Sequence, residues 1–142
     1  RTEVICDKIH VCPEMLQLLF ASKNPEAVLL VTDSMRASHL PDGPSSIGGL
    51  DVIVKNGEAR LAKDGALAGS TLKMNVALKN AVEVSGQPIE DIVCMSAYNQ
   101  AYELGVQDCY GAIDYGYVAD LVVADRDTFA IEAVFIDGER HL

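Results

Sequence analysis

Apolar residues follow one another without a break from Ala27 to Val31, and the polar residues Thr32 and Asp33 come directly after them. An apolar run that does not alternate predicts a strand buried on both faces, as in a parallel sheet. Such sheets bind ligands beyond the carboxyl ends of their strands, and Asp33 is predicted to lie there. We therefore take this segment as the centre of the predicted fold.

A second strand is predicted upstream, because apolar and polar residues alternate weakly from Thr2 to Val11. Pro13 suits the first turn of a helix, and this helix is predicted to end near Asn24, because Pro25 disfavours the helical conformation of the residue before it. Strand, helix and strand within about thirty residues form a βαβ unit. The pattern therefore predicts a parallel sheet.

The middle of the chain mixes turn-forming residues with short apolar segments. The proline- and glycine-containing segment Leu40–Ser46 predicts a loop, and Asn56-Gly57 between two strand-like runs predicts a hairpin. Ser70 is predicted to cap a helix that ends at Gly86, and Pro88 is predicted to open the next helix.

From Gly111 onward the pattern is typical of strands again. Ala119–Asp125 and Ile131–Ile136 are predicted strands, and Asp137-Gly138 predicts a hairpin turn with few residues after it. The sequence also begins at Arg1, directly in strand-like residues. We therefore expect the chain to be a piece of a longer protein.

Composition narrows the classes of function. Of the 142 residues, 49% are hydrophobic, which suits a single globular domain. A formal net charge of -10 argues against nucleic acid and against an anionic membrane surface as partners. The cysteines have no C-x-x-C spacing, which predicts free thiols in a reducing compartment and hence a cytoplasmic protein. They are Cys6, Cys12, Cys94 and Cys109.

Two side chains at the predicted strand ends are candidates for catalysis. Asp33 could act as a general base or reach a metal ion, or its carboxylate could only bond the backbone of an Asx turn. His10 is predicted to lie at the level of Asp33 and to form the rim of an active site, or to be an ordinary imidazole satisfied by backbone. A zinc site formed by Cys6, His10 and Cys12 is disfavoured, because their spacing matches no known ligand pattern.

The segment Leu67–Ser70 precedes a predicted helix and has only small groups at Ala68 and Gly69. Its backbone N–H groups could therefore approach a phosphate or a hydroxyl group of a ligand closely. The alternative is that Gly69 and Ser70 only cap the helix.

Several of these segments occur in an order that resembles a known family. In chain order they are Asp7–Val11, Leu30–Asp33, Leu40–Gly43, Leu67–Leu72 and Gly116–Val122. Together they resemble the C-terminal part of the N-acetylglucosamine-6-phosphate deacetylase family, which belongs to the amidohydrolase superfamily. Leu67–Leu72 is fairly specific to the deacetylases, whereas Gly116–Val122 identifies only the superfamily.

The resemblance implies an α/β fold that comprises the C-terminal part of a (β/α)8 amidohydrolase barrel and part of a small β-sandwich domain. Residues 1–110 would form the last two barrel strands and the helices that follow, with a hairpin insertion at residues 47–62. Residues 111–142 would be the C-terminal contribution to the sandwich. A complete barrel takes about 250 residues, so this chain is expected to hold only part of one.

For function, the resemblance implies metal-dependent hydrolysis of the acetamide of N-acetylglucosamine 6-phosphate, by a longer parent protein, to glucosamine 6-phosphate and acetate. Asp33 would be the catalytic aspartate, His10 would bind the sugar phosphate, and the backbone of Leu67, Ala68 and Gly69 would line the same pocket. The metal would be zinc or another divalent ion. Its ligands, a Glu and two His in the family, are expected upstream of this chain.

Other functions stay open at this point. The chain could belong to another amidohydrolase that acts on a different amide, or to a non-catalytic module that binds a sugar phosphate. A homo-oligomer is expected, and the 142-residue chain alone is expected to be inactive and to lack a catalytic metal. The family usually has glycine at the position of Lys8, so Lys8 is predicted to crowd the rim beside His10.

Overall fold

The computed structural model describes residues 1–142. In chain order its strands and helices are β1 (Thr2–Ile5), α1 (Pro13–Ser22), β2 (Val28–Val31), β3 (Gly43–Ile47), β4 (Leu50–Lys55), β5 (Glu58–Leu61), α2 (Met74–Ser85), α3 (Ile89–Ile92), α4 (Tyr98–Glu103), β6 (Leu121–Ala124), β7 (Ile131–Ile136) and β8 (Glu139–Arg140). Short 3-10 turns lie at Pro25–Ala27 and Val93–Ser96. None of the helices combines the length and the apolar character needed to cross a membrane.

Strands β1 and β2 are parallel and pair from Thr2 with Val28 to Ile5 with Val31. Together with α1, they confirm the predicted βαβ unit. One face of this pair is covered by α1 and α2 and forms the main hydrophobic core. The fully buried members of that core include Cys6, Leu16, Val28, Leu30, Ala77, Ala81 and Ile92. Leu29, whose side chain points to the opposite face from Val28 and Leu30, is buried as well, which explains why this strand is apolar without alternation.

Strand β1 is shorter than predicted, because it ends at Ile5 and not at Val11. The physical reason is local. The carboxylate of Asp7 accepts hydrogen bonds from the backbone N–H groups of Ile9 and His10, so these groups are bonded within a loop and not to a neighbouring strand. Helix α1 begins at Pro13, as predicted.

Residues 43–61 form an antiparallel sheet of three strands, β3, β4 and β5. The hairpin at Asn56-Gly57 is confirmed, and both turn residues have positive φ, 52° and 79°. The prediction of a loop throughout Leu40–Ser46 is wrong, because Gly43–Ile47 pairs with β4. A strand of glycine, proline and serine has no local preference for extended pairing, so only its long-range partner reveals it.

The helical predictions are corrected in two places. Helix α2 begins at Met74, and Ser70 does not cap it, since the Ser70 hydroxyl accepts a bond from Leu72 N in a preceding turn. Gly86 does end α2, with a φ of 67°. The helix predicted after Pro88 is only the short helix α3 followed by a 3-10 turn, and α4 is a separate helix after it.

Side chains of helix α4 donate hydrogen bonds to the backbone of β2 and of the turn before it. Asn99 is buried and donates hydrogen bonds to the carbonyl oxygens of Pro25 and Val28 at 2.9 and 2.6 Å. Gln100 donates a bond to the carbonyl oxygen of Leu30 at 3.0 Å. These bonds attach β2 to a second element besides β1.

The C-terminal strands β6, β7 and β8 form a separate antiparallel sheet. The predicted turn at Asp137-Gly138 is confirmed, with φ values of 50° and 80°. The side chain of Asn75, on α2, donates a hydrogen bond to the carbonyl oxygen of Phe129 at 2.9 Å and so ties this sheet to the helical layer.

Candidate functional site

An open groove of about 470 Å³ lies on the face of the β1–β2 pair that the helices leave uncovered. Side chains alternate along a strand, so Val4 points mainly into the helix-covered core, while its neighbours Glu3 and Ile5 line the groove. Val4 still borders the groove, and the other lining residues are His10, Val11, Val31 and Asp33. The structure therefore brings both predicted strand-end residues, His10 and Asp33, to one cavity.

Asp33 lies two residues beyond β2 and is exposed. Its backbone is left-handed, with a φ of 49°, which is uncommon for a residue other than glycine. Its carboxylate makes no hydrogen bond, whereas its carbonyl oxygen accepts one from Ser70 N at 3.1 Å. The Asx-turn alternative is therefore wrong for Asp33, and its carboxylate is available to a ligand or a water molecule in the groove.

His10 is held by a residue that the sequence analysis did not single out. The Nδ1 atom of its ring lies 2.6 Å from Oδ2 of Asp7, and 22% of the His10 side chain is exposed. The other carboxylate oxygen of Asp7 accepts bonds from the backbone N–H groups of Ile9 and His10, at 2.8 and 2.9 Å. The spacing of Asp7 and His10, together with the tendency of Asp to bond the backbone two or three residues on, was the available signal.

Lys8 does not crowd the groove, contrary to the prediction from the sequence. Its Nζ pairs with Oε2 of Glu83 on α2 at 2.6 Å, and it is absent from the groove lining. Its backbone is left-handed, with a φ of 65°. The hydrogen bond from Lys8 lowers the pKa of the Glu83 carboxyl group.

The segment Leu67–Ser70 contacts Asp33 through its last residue, Ser70. Ala68 N donates to Ala59 O at 3.0 Å, and Ser70 bonds Asp33 O through its N–H and Met35 N through its carbonyl oxygen. The backbone thus runs from β5 to the residues after β2. It lies beside Asp33, but Leu67, Ala68 and Gly69 do not line the groove of the structure.

The side chain of Ala68 is buried in a small core between this segment and β3–β5. Gly69 has a φ of 71°, and a Cβ atom there would lie 3.0 Å from Ile47 Cδ1 and 3.3 Å from Met35 Cβ. Packing against these side chains therefore explains the glycine without a ligand.

A metal ion is not accommodated by this chain's residues alone. No three His, Cys, Asp or Glu side chains are grouped closely enough to hold one. Cys6 is fully buried, and burial raises the pKa of its thiol to about 11, so the thiolate that would bind a metal is disfavoured. The disfavoured zinc site of Cys6, His10 and Cys12 is accordingly not formed.

No family model matches the chain. Among curated proteins, it is 40% identical over 126 residues to N-acetylglucosamine-6-phosphate deacetylase of Bacillus subtilis (strain 168), covering 89% of this chain and 32% of that protein. It is 33% identical over 137 residues to a protein of Escherichia coli (strain K12) named "Putative N-acetylgalactosamine-6-phosphate deacetylase", covering 96% of this chain and 80% of that protein. The chain spans about a third of the length of the Bacillus, Lysinibacillus and Vibrio relatives.

Solved structures agree with these matches. N-acetylglucosamine-6-phosphate deacetylase of Thermotoga maritima superposes with a TM-score of 0.89 at 41% identity, covering 97% of this chain and 37% of that one. A mutant deacetylase of Mycobacterium smegmatis, in complex with N-acetyl-D-glucosamine-6-phosphate, superposes with a TM-score of 0.86 at 35% identity, covering 97% of this chain and 36% of that one. The mixed α/β fold of the chain is therefore that of a segment of these proteins.

Proposed function

This chain belongs to the N-acetylglucosamine-6-phosphate deacetylase family, and from that premise we propose that it is part of an enzyme that hydrolyses N-acetylglucosamine 6-phosphate to glucosamine 6-phosphate and acetate. One observation carries the proposal: the unbonded carboxylate of Asp33 and the imidazole of His10 line the same groove. A general base and a group able to bind an anion are thus placed together, as amide hydrolysis of a sugar phosphate requires.

In this proposal Asp33 moves the proton. It accepts a proton from the water molecule whose oxygen attacks the acetamide carbon, and it gives that proton to the nitrogen as the carbon–nitrogen bond breaks. The products are acetate and a free amine. The left-handed backbone of Asp33, bonded to Ser70, supports this role because it directs an otherwise unbonded carboxylate outward.

The second part of the proposal concerns substrate binding. His10 contacts the phosphate group, and the backbone of Leu67, Ala68 and Gly69, which lies outside the groove lining, borders the part of the substrate that extends past Asp33. The bonds between Ser70 and Asp33 support a common site for these segments. The divalent metal that the family resemblance implies does not fit this chain's residues alone, because no three His, Cys, Asp or Glu side chains lie close enough together to hold it.

We further propose that residues 1–110 are the end of a (β/α)8 barrel and that residues 111–142 are a part of a small β-sandwich. The parallel pair β1–β2, covered by helices on one face, supports the first assignment. The separate sheet β6–β8 supports the second.

A second candidate substrate is N-acetylgalactosamine 6-phosphate. The Escherichia coli (strain K12) relative, of which this chain covers 80%, is named "Putative N-acetylgalactosamine-6-phosphate deacetylase". The two sugars differ in the configuration of a single hydroxyl group, and nothing in the groove distinguishes them.

The experiment measures acetate released from each of the two sugar phosphates and from unphosphorylated N-acetylglucosamine, by a protein of deacetylase length that contains this segment, with a divalent metal supplied. We expect turnover of N-acetylglucosamine 6-phosphate and at least a tenfold (about 1.4 kcal/mol) loss without the phosphate. Faster turnover of the galacto substrate would favour the second candidate. No acetate from any of the three would contradict the proposal and favour a non-catalytic module.

For the 142-residue chain alone we propose self-association and no turnover. Large apolar side chains are exposed at Leu104, Ile113 and Tyr115, and such surfaces favour association. Sedimentation of the purified chain checks the first half, where a monomer at high concentration would contradict it. Metal analysis with the acetate assay checks the second half, where bound metal together with turnover would contradict it.

A further inference from the structure

We propose that Asp7 is the positioning residue of the groove: its carboxylate holds the imidazole of His10 by Nδ1, so that Nε2 is the ring atom left to contact the phosphate group of the substrate. The substrate half of this inference rests on the proposed function. The positioning half rests only on the geometry of the loop between β1 and α1.

Both oxygens of the Asp7 carboxylate are engaged in fixing this loop. One accepts the backbone N–H groups of Ile9 and His10, and the other lies 2.6 Å from His10 Nδ1. Only 8% of the Asp7 side chain is exposed, so water competes weakly for these bonds. Because the same carboxylate binds the backbone and the ring of His10, the position of the imidazole is set from two sides.

The bond also determines where the ring carries its hydrogen. An ionised carboxylate can only accept hydrogen bonds, so Nδ1 of His10 must carry a hydrogen. In the neutral ring Nε2 is then an acceptor, and in the protonated ring both nitrogens are donors. A phosphate oxygen also only accepts, so phosphate binding selects the protonated ring, whose charge the carboxylate of Asp7 balances.

His10 is the only ionisable side chain of the groove lining that is not a carboxylate. The other ionisable groups of the lining are the carboxylates of Glu3 and Asp33, which repel an anion. The nearby ammonium group of Lys8 is paired with Glu83. His10 Nε2 makes no hydrogen bond within the chain, although its ring lines the groove. It is therefore the one lining side chain that can meet a phosphate with a positive charge.

The test is a long-range nitrogen–proton NMR experiment on the full 142-residue chain, which reports the tautomer of each histidine ring. Spectra are recorded over a series of pH values, and the tautomer is determined where the ring is neutral. His39→Gln and His141→Gln identify the signals of His10. We expect the hydrogen on Nδ1 in the wild type. A hydrogen on Nε2 would overturn the proposal without any variant of Asp7.

Asp7→Asn sharpens the test. If the amide oxygen keeps the two backbone bonds, the amide NH₂ group faces the ring, and Nδ1 must become an acceptor. We expect the hydrogen to move to Nε2. Asp125→Asn is the matched control, because the Asp125 carboxylate also bonds the backbone N–H groups two and three residues on, between β6 and β7. The control should leave the His10 tautomer unchanged, and an unchanged tautomer in Asp7→Asn would contradict the positioning role.

Phosphate contact is tested separately by adding inorganic phosphate, N-acetylglucosamine 6-phosphate and unphosphorylated N-acetylglucosamine to the same chain. We expect the two phosphates to shift the Nε2 signal of His10 toward the protonated ring, and the unphosphorylated sugar to leave it unchanged. Asp7→Asn should weaken the phosphate response roughly tenfold, the lower end of what a carboxylate that orients a metal-binding histidine contributes to affinity. An Nδ1 tautomer without any phosphate response would support the positioning role and contradict His10 as the phosphate contact, so the two failures are distinguishable.

Discussion

Each of the two parallel strands is followed, two residues beyond its end, by an aspartate, and the carboxylates of these two aspartates differ in what they bond. Asp7 follows β1 closely, is largely buried and makes three hydrogen bonds to its own loop. Asp33 follows β2, is exposed and makes no side-chain hydrogen bond. Each loop contains a left-handed residue other than glycine, Lys8 in the first and Asp33 itself in the second.

The difference shows how a strand end can serve a site in two ways. In the first loop the carboxylate of Asp7 is bonded to backbone N–H groups and to the ring of His10, and His10 is the side chain that faces the groove. In the second loop the backbone is bonded by Ser70, and the carboxylate is left for chemistry. The same residue type after the same kind of strand is thus structural in one place and a candidate catalytic group in the other.

The largest expected effect tests the free aspartate. Asp33→Asn removes the base but suits the left-handed backbone, which Asn adopts more readily than most residues. In a protein of deacetylase length we expect kcat to fall about 10²- to 10⁴-fold. The free energy of unfolding should change by less than about 0.5 kcal/mol. Acetate release and denaturant unfolding measure the two, and activity within about tenfold of wild type would remove Asp33 from the role of base.

The next largest effect is the pH dependence of stability that we expect from Cys6, the residue directly before Asp7. Cys6 is buried, and its desolvation raises the pKa of the thiol from 9.0 to about 11. Between these values the unfolded chain loses the thiol proton while the folded chain keeps it, so stability falls as pH rises. A shift of this size corresponds to a loss of about 3 kcal/mol as the pH rises through this range.

Unfolding of the wild type and Cys6→Ala at several pH values measures this loss. Cys6→Ala should show a shallower fall than the wild type, whereas Cys12→Ala, at an exposed position, should keep the wild-type slope. Equal slopes in all three proteins would show that the thiol is ionised alike in the folded and unfolded chains.

A smaller effect tests the bonded aspartate. Asp7→Ala removes the acceptor of two backbone N–H groups and of the His10 ring, and we expect the free energy of unfolding to fall by about 2 kcal/mol. Asp125→Ala removes similar bonds at an exposed loop and should cost less, because water replaces them. Denaturant unfolding of the 142-residue chain makes the comparison. Equal losses would mean that burial of Asp7 adds nothing.

The smallest effect concerns the left-handed residue between Asp7 and His10. Lys8→Gly relieves the backbone conformation but makes the unfolded chain more flexible and removes the ion pair with Glu83. We expect a net change of less than about 1 kcal/mol. Glu83→Gln removes the pair alone and should cost less than about 0.5 kcal/mol, since both side chains are partly exposed. A loss well above these values in both variants would show that the pair holds the loop in place.

Local patterns determined much of this fold. The unbroken apolar run predicted a buried parallel strand. Pro13 predicted the start of a helix and Gly86 the end of another, and both are found in the structure. Asn56-Gly57 and Asp137-Gly138 predicted two hairpin turns, which are also found. Each of these features depends on backbone preferences within a few residues, so the sequence alone contains the cause. That Asp33 and His10 line one groove agrees with parallel strands whose carboxyl ends share an edge, although His10 reaches the groove from a loop bonded by Asp7.

Other features were decided by tertiary contacts. Gly43–Ile47 is a strand because β4 pairs with it, and the segment from Ala68 to Ser70 is held in place by hydrogen bonds to β5 and to the residues after β2. Likewise, nothing near Asp7 or Asp33 in the sequence states which carboxylate is left unbonded. That distinction depends on whether the loop N–H groups turn back toward the carboxylate, as at Asp7, or whether a distant residue such as Ser70 bonds the loop backbone, as at Asp33. Local hydrogen bonds at Asp7 and the long-range bond from Ser70 at Asp33 therefore together decided which carboxylate is left unbonded.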